Sequence, residues 1–277
     1  MFEAIFLGLV QGLTEFLPIS SSAHLRIIGE FLPNAKDPGA AFTAITQIGT
    51  ELAILIFFRT EILAIIRNWF KFSVLRKKNL SQSEKEDNKL GWFVIIGSVP
   101  VFIFGFLLQD SIKTTFRSLS LIAATLIIFG LILGFADYLG DNSKGFKDLS
   151  VKSTLIYGIG QSLALIPGVS RSGMTIAAGR LMGFSRSAAT KFSFLLAVPA
   201  VLGSGLYELY QTIKDPKLEV FNASQTAIAT LVAFVVGYGV IKWLMQYVST
   251  KSYRPFVIYR LVLGALLLMA VSTNLIV

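Results

Sequence analysis

The sequence predicts an all-α polytopic membrane protein: six transmembrane helices plus two re-entrant helical hairpins, arranged as an inverted-topology repeat. Three observations lead there. Hydrophobic residues fill 54% of the 277 positions and charged residues 15%, with a mean hydropathy of +0.69, which excludes an ordinary soluble globular domain. Two polar signatures, QGLTEFLPISSSAHL from Gln11 and PGVSRSGMT from Pro167, lie inside apolar surroundings, where ionisable side chains are costly and so point to function. The signatures also match each other when the chain is shifted by 150 positions.

The chain reads as a single membrane domain, 1–277. The run from Phe2 to Leu17 lacks a basic start and a small-residue cleavage site, so it does not read as a signal peptide. Apolar stretches at 40–58, 90–109, 119–137, 188–212, 223–247 and 255–277 are each near the length of a crossing. The segment 59–89 carries Arg59, Arg67, Lys71, Arg76, Lys77, Lys78, Lys85 and Lys89, so the positive-inside rule assigns it to the cytoplasm. Segments 138–152 and 248–254 then fall inside, while 110–118, 213–222 and both termini fall outside. Within the long inner loop Ile62, Ile65, Ile66, Trp69 and Phe70 follow helical spacing, which predicts an interfacial helix; the following RKKNLSQSEKEDNK reads as a mobile polar connector. The net charge of +9 is placed by these loops in membrane orientation, so no nucleic acid partner is expected. With no cysteine, disulfides, thiol catalysis and cysteine-ligated metal are excluded.

At the 150-residue shift Gly8 meets Gly158, Gln11 meets Gln161, Leu13 meets Leu163, Ser20 meets Ser170, Ser22 meets Ser172, Gly29 meets Gly179 and Phe42 meets Phe192. Three crossings separate the copies, and an odd number inverts the second, giving halves 1–138 and 151–277. Each signature is too short and too broken, by Pro18 or by Pro167 and Gly168, to cross as a regular helix. Re-entrant hairpins that meet near the middle follow, since irregular backbone is tolerated only against protein or a water-filled cavity.

In the first signature Gln11 and Glu15 stand four residues apart on one helix face, a candidate site for a divalent cation, Mg2+ or Ca2+, both of which favour oxygen ligands. Ser20, Ser21 and Ser22 precede His24, the only histidine, so either a serine activated by the imidazole or His24 itself could attack phosphorus. The serines also suit a helix cap after Pro18. The second signature supplies Arg171, flanked by Ser170, Ser172 and Thr175 at a helix start, an arrangement suited to gripping phosphate; Arg171 could equally pair with Glu15. Phe192 and Phe194, close by, read as packing residues. Metal, hydroxyl, imidazole and guanidinium together describe phosphoryl chemistry.

On these residues the chain resembles the undecaprenyl pyrophosphate phosphatases, also called bacitracin resistance proteins. The likeness rests on Gln11 to Glu15 through His24, on Pro167 to Thr175, on FSFLLAVP from Phe192 and on the IYR triplet Ile258 to Arg260, and it spans the whole chain. It implies an enzyme of the bacterial cell membrane that needs a divalent cation. Its substrate would be a C55 isoprenyl diphosphate, whose terminal phosphate is removed to return the lipid carrier to peptidoglycan synthesis, at a site opening to the outer face. Residue by residue it implies Gln11 and Glu15 at the metal or diphosphate, Ser21 and His24 in the attack, and Ser170, Arg171 and Thr175 on phosphate; Ser20 and Ser172 extend that hydroxyl set. Where many members have a first glutamate this chain has Gln11. Glu51, one turn after Gln47, is the expected auxiliary carboxylate, with an ion pair to Arg260 or Lys191 as its structural alternative. A lipid-phosphate transporter on the same scaffold is the competing function. A homodimer is left open.

Overall fold

A computed structural model of the protein describes all residues except 34–36, 77–80, 114, 216–219 and 277. The described residues fold into helices joined by short loops, with one isolated bridge between Lys144 and Phe184. In chain order these are α1 (Phe2–Thr14), α2 (Ser21–Gly29), α3 (Gly39–Phe57), α4 (Arg59–Trp69), α5 (Gln82–Leu107), α6 (Gln109–Lys113) and α7 (Leu119–Leu139). After them come α8 (Val151–Leu163), α9 (Arg171–Leu181), α10 (Arg186–Lys214), α11 (Ala223–Val248) and α12 (Arg254–Ser272). Six of them, α3, α5, α7, α10, α11 and α12, are long and apolar enough to cross a membrane, and the chain is a multi-pass membrane protein.

Two boundaries differ from expectation. The second crossing starts at Gln82, not near 90, so most of the polar segment read as a mobile connector is helix. Ser81 and Glu84 form a capping box that satisfies the first free N–H groups, and this nucleates the helix in charged sequence. Residues 77–80 of that connector lie outside the described residues, as does part of the expected outer loop 213–222. The last crossing ends at Ser272. The helix expected in the inner loop exists as α4, but its apolar side is not simply left to lipid. Ile62, Ile65 and Trp69 join Gly91 of α5 and Leu195 of α10 around an apolar cavity of about 210 Å³.

Each signature folds as helix, break, helix: α1 and α2 around Pro18, α8 and α9 around Pro167 and Gly168. The breaks are alike in detail. Ser20 and Ser170 occupy the left-handed region at φ 72° and 71°, and each caps the helix that follows, accepting from Ala23 N at 3.4 Å and from Gly173 N at 3.1 Å. They also touch: Gly168 N donates to Ser20 Oγ at 3.2 Å, and Ser172 Oγ to the Leu17 carbonyl at 3.1 Å. Gly168 is required twice, by its φ of 92° and because a Cβ there would lie 2.0 Å from Thr125 Oγ1. Helix pairings follow a matching pattern: α1 packs on α11 and α8 on α5, α3 on α11 and α10 on α5, while α3 meets α10 and α7 meets α12.

Arg260, from α12, closes the joint. Read as an alternative ion-pair partner of Glu51, it is instead fully buried and donates to the carbonyls of Pro18 (3.1 Å), Gly168 (2.8 Å) and Val169 (3.1 Å) at the breaks, and of Thr125 (3.3 Å) and Leu126 (3.2 Å) on α7. A broken helix strands carbonyls that lipid cannot satisfy, and a guanidinium carries enough donors to serve several of them. A second buried arginine, Arg180, bonds Asp137 and the Phe184 and Gly140 carbonyls, tying α7 to the α9–α10 connection. At the opposite end of α7, Arg117 grips Asp37 with Nε at 2.7 Å and with Nη2, while Gly39 N donates to Asp37 at 2.9 Å and Arg26 lies 3.5 Å away.

Two outcomes follow from these contacts. Arg260→Met should strand several buried carbonyls at once and lower stability by about 3 kcal/mol or more, read as a fall in melting temperature in detergent; an unchanged Tm would show that the clamp is dispensable. Burial raises the Asp37 pKa, but the Arg117 hydrogen bonds and charge, the Gly39 N–H and Arg26 outweigh it and hold the group below its ordinary value. Its stabilising contribution is therefore present above the unfolded-state value and is lost as pH falls through the lower folded-state value. Asp37→Asn should melt below the wild type at neutral pH, and the gap should close on acidification; a gap independent of pH would contradict this.

Candidate active site

Glu15 is the centre of the site. It continues the turn of α1 one residue past Thr14, with its N–H on the Gln11 carbonyl at 3.0 Å, so Gln11 and Glu15 share a face as their spacing requires. Gln11 Nε2 donates to Glu15 Oε2 at 2.7 Å, Gln47 Nε2 of α3 to the same oxygen at 3.3 Å, and Ser21 Oγ, from the first residue of α2, to it at 2.5 Å. The other oxygen, Oε1, receives Arg171 Nη2, from the first residue of α9, at 2.9 Å. Both the phosphate-gripping reading of Arg171 and its pairing with Glu15 are thus compatible with one geometry. Glu51, a turn beyond Gln47, lies 3.7 Å from Arg171 Nη1. Its structural alternatives do not form: Arg260 serves carbonyls and Lys191 pairs with Glu61 at 2.7 Å.

His24 takes a different place from the one its sequence neighbourhood implies. Its Nδ1 lies 2.7 Å from the Ser20 carbonyl and its Nε2 2.7 Å from the Tyr259 hydroxyl, while the Ser21 hydroxyl is spent on Glu15. In this arrangement the carboxylate, not the imidazole, accepts the serine's proton bond. The physical reason is the turn at Ser20: a residue with positive φ starts α2 and points Ser21 back toward α1, while His24 lies one turn on.

The remaining hydroxyls divide between capping and packing. Ser20 and Ser170 are caps, each within hydrogen-bond reach of its neighbour two residues on, Ser22 or Ser172. Ser172 donates to Leu17, and Thr175, fully buried, bonds the Arg171 carbonyl at 2.7 Å and Ser193. Within the expected phosphate-binding set it is Arg171 that keeps buried donors without a hydrogen-bond partner, Nε and Nη1, the latter 3.7 Å from Glu51. Phe192 and Phe194 pack edge-on against Tyr157 and Phe16, as expected of packing residues.

Buried polar atoms without hydrogen-bond partners gather here: Gln11 Oε1, both oxygens of Glu51, and Nε and Nη1 of Arg171. Groups of this kind are normally paired, so the site offers acceptors to a cation and donors to an anion at once. Among the described residues no cluster of three or more His, Asp or Glu forms a full protein cage for a metal. Two carboxylates and an amide oxygen nevertheless suit a hard cation that draws the rest of its shell from phosphate and water.

Comparison with known proteins decides the family. The family described as bacitracin resistance protein BacA matches residues 4–266. The chain belongs to the bacitracin resistance protein family. A relative from Micrococcus luteus named undecaprenyl-diphosphatase is 57% identical over 266 residues, covering 96% of this chain and 95% of its own. Another of that name, from Paenarthrobacter aurescens, is 53% identical over 275 residues, covering 99% and 98%. A protein from Agrobacterium fabrum named undecaprenyl-diphosphatase 2 is 51% identical over 274 residues, covering 99% and 96%.

In this chain three contributors escaped the reading of the two signatures: Gln47, Tyr259 and the carbonyl-bound Arg260. The IYR triplet pointed toward the last two without marking a role, and the role read for Arg260 was an ion pair with Glu51. For Glu51 the expected outcome is specific. Glu51→Gln should raise the divalent-cation concentration needed for half-maximal activity by roughly tenfold or more, as loss of one charged ligand does. Unchanged activity and unchanged metal dependence would remove Glu51 from the site.

Proposed function

We propose that the chain hydrolyses undecaprenyl diphosphate to undecaprenyl phosphate and inorganic phosphate in the bacterial cytoplasmic membrane, recycling the lipid carrier for peptidoglycan synthesis. The observation that carries this reading is the 2.5 Å hydrogen bond from Ser21 to Glu15, with Arg171 on the other carboxylate oxygen. A hydroxyl held on a carboxylate beside a guanidinium is a nucleophile, its base and an anion clamp in one cluster. The names of the relatives supply the substrate.

Ser21 Oγ attacks the terminal phosphorus as Glu15 takes its proton; the bond from phosphorus to the bridging oxygen breaks, and undecaprenyl phosphate leaves with the electron pair. Water then attacks the phosphoseryl group and the Oγ–P bond breaks; Ser21 Oγ takes back the proton held by Glu15, the proton lost by water passes to solvent through Glu15, and inorganic phosphate leaves. Arg171 Nε and Nη1 bind the oxygens on which negative charge develops. Gln11, Glu15 and Glu51 would hold a divalent cation, which when bound would neutralise charge on the diphosphate. Ser170 and Ser172 shape the start of α9, and Thr175 braces it from behind.

The architecture we assign is an inverted repeat of 1–138 and 151–277, with α1–α2 and α8–α9 as re-entrant hairpins. The equal breaks at Ser20 and Ser170 and the matching helix pairings support it. Loop charge places 59–89, with α4 along the interface, on the cytoplasmic side, and the site would open outward. Transport of a lipid phosphate would use the same scaffold, but the Ser21–Glu15 couple has no task in it.

Purified protein in detergent with Mg2+ or Ca2+ should release phosphate from undecaprenyl diphosphate, and chelation should abolish release reversibly. Arg171→Ala should cut kcat by about a hundredfold or more while the protein still melts cooperatively. Failure to release phosphate from any isoprenyl diphosphate would favour transport.

A further inference from the structure

Tyr259 belongs to neither signature and precedes Arg260 on α12. The residue is 44% exposed, alongside Ile258 and Val262 on the outer side of that helix, yet its hydroxyl reaches inward to His24 Nε2 at 2.7 Å. The two rings are nearly parallel, 7° apart, with centroids at 5.5 Å. A carbonyl only accepts, so the Ser20 carbonyl fixes the proton on Nδ1. Nε2 is then the lone-pair nitrogen, and the Tyr259 hydroxyl donates to it. The neighbouring guanidinium of Arg260 is turned to the carbonyls of the breaks and leaves this contact to the tyrosine.

We propose that Tyr259 is a positioning residue for the phosphatase site: it holds the His24 imidazole with Nε2 as its basic nitrogen at the α12 side of the site, ready to be released to the incoming phosphate. This rests on the phosphatase reading above. Glu15 is already bonded by Gln11, Ser21, Gln47 and Arg171, whereas His24 Nε2 has a single partner that sits on the half-exposed edge of the bundle. A phosphate ester entering between α2 and α12 meets that hydroxyl first; its oxygens accept the Tyr259 O–H, and the Nε2 lone pair is freed. Tyr259 therefore acts through His24 and not on phosphorus.

Because His24 is the only histidine, its ring nitrogens can be read singly after 15N-histidine labelling. In detergent, Tyr259→Phe should shift the Nε2 resonance toward that of a free lone pair and leave the Nδ1–H signal in place. It should lower kcat by about tenfold, the loss of one oriented hydrogen bond, with little change in KM. His24→Ala with Tyr259→Phe should lose no more activity than His24→Ala alone. An Nε2 resonance identical in wild type and Tyr259→Phe, or losses that multiply in the double variant, would overturn the assignment. If the wild type released no phosphate at all, the phosphatase reading would fall, and the nitrogen spectra would still decide the contact.

Discussion

The structure depends on one constraint: two helices are broken inside an apolar layer, and the carbonyls exposed at the breaks need donors. Arg260 supplies them. One guanidinium reaches Pro18 in the first break and Gly168 and Val169 in the second, then anchors both to Thr125 and Leu126 of α7. Without such a partner each orphaned carbonyl would cost several kcal/mol in hydrocarbon, on the order of a whole domain's net stability when summed. The breaks cannot be straightened either, because they bring Ser21 and Arg171 to the same carboxylate. The position of the chemistry and the position of Arg260 are one requirement.

Charge explains the rest of the site. Glu15 and Glu51 bring two carboxylates against the single guanidinium of Arg171, which is within ion-pair reach of both. A diphosphate adds further negative charge to a buried place, where like charges repel strongly. The divalent cation proposed for the site would balance this, and the oxygens of Gln11 and Glu51 that carry no hydrogen bond are where it would meet protein ligands. Where the resemblance has a first glutamate this chain has Gln11, and in the proposed site Glu51, 3.7 Å from Arg171, would supply that charge.

Much of this was legible in the sequence because the signals were local. Apolar length gave the six crossings, Pro18 and Gly168 the breaks, and the four-residue spacing the Gln11–Glu15 pair. The errors came from interactions that spacing does not encode. Charged residues 82–89 read as loop, but a capping box at Ser81 costs nothing in hydrophobicity and starts a helix there. Ser21 and His24, three apart, read as a couple, yet the backbone turn at Ser20 sends one to Glu15 and the other to Tyr259, 235 residues away. Arg260 read as a partner for Glu51 because nothing in its own helix shows which carbonyls will be left unpaired elsewhere.

The two signatures differ most where they are most alike. Ser21 and Arg171 correspond under the 150-residue shift, each the first residue of its helix behind a capping serine with positive φ. Glu15 bonds both, Ser21 through one oxygen and Arg171 through the other. Its own counterpart, Leu165, carries no charge, and the counterpart of His24 is Met174. A single backbone device is therefore used twice, once to present a hydroxyl and once a guanidinium, and the carboxylate that joins them needs to exist only once. Two copies of Glu15 would double the negative charge there; one copy, shared between equivalent positions, sets the Ser21 hydroxyl and the Arg171 guanidinium on the two edges of the same carboxylate.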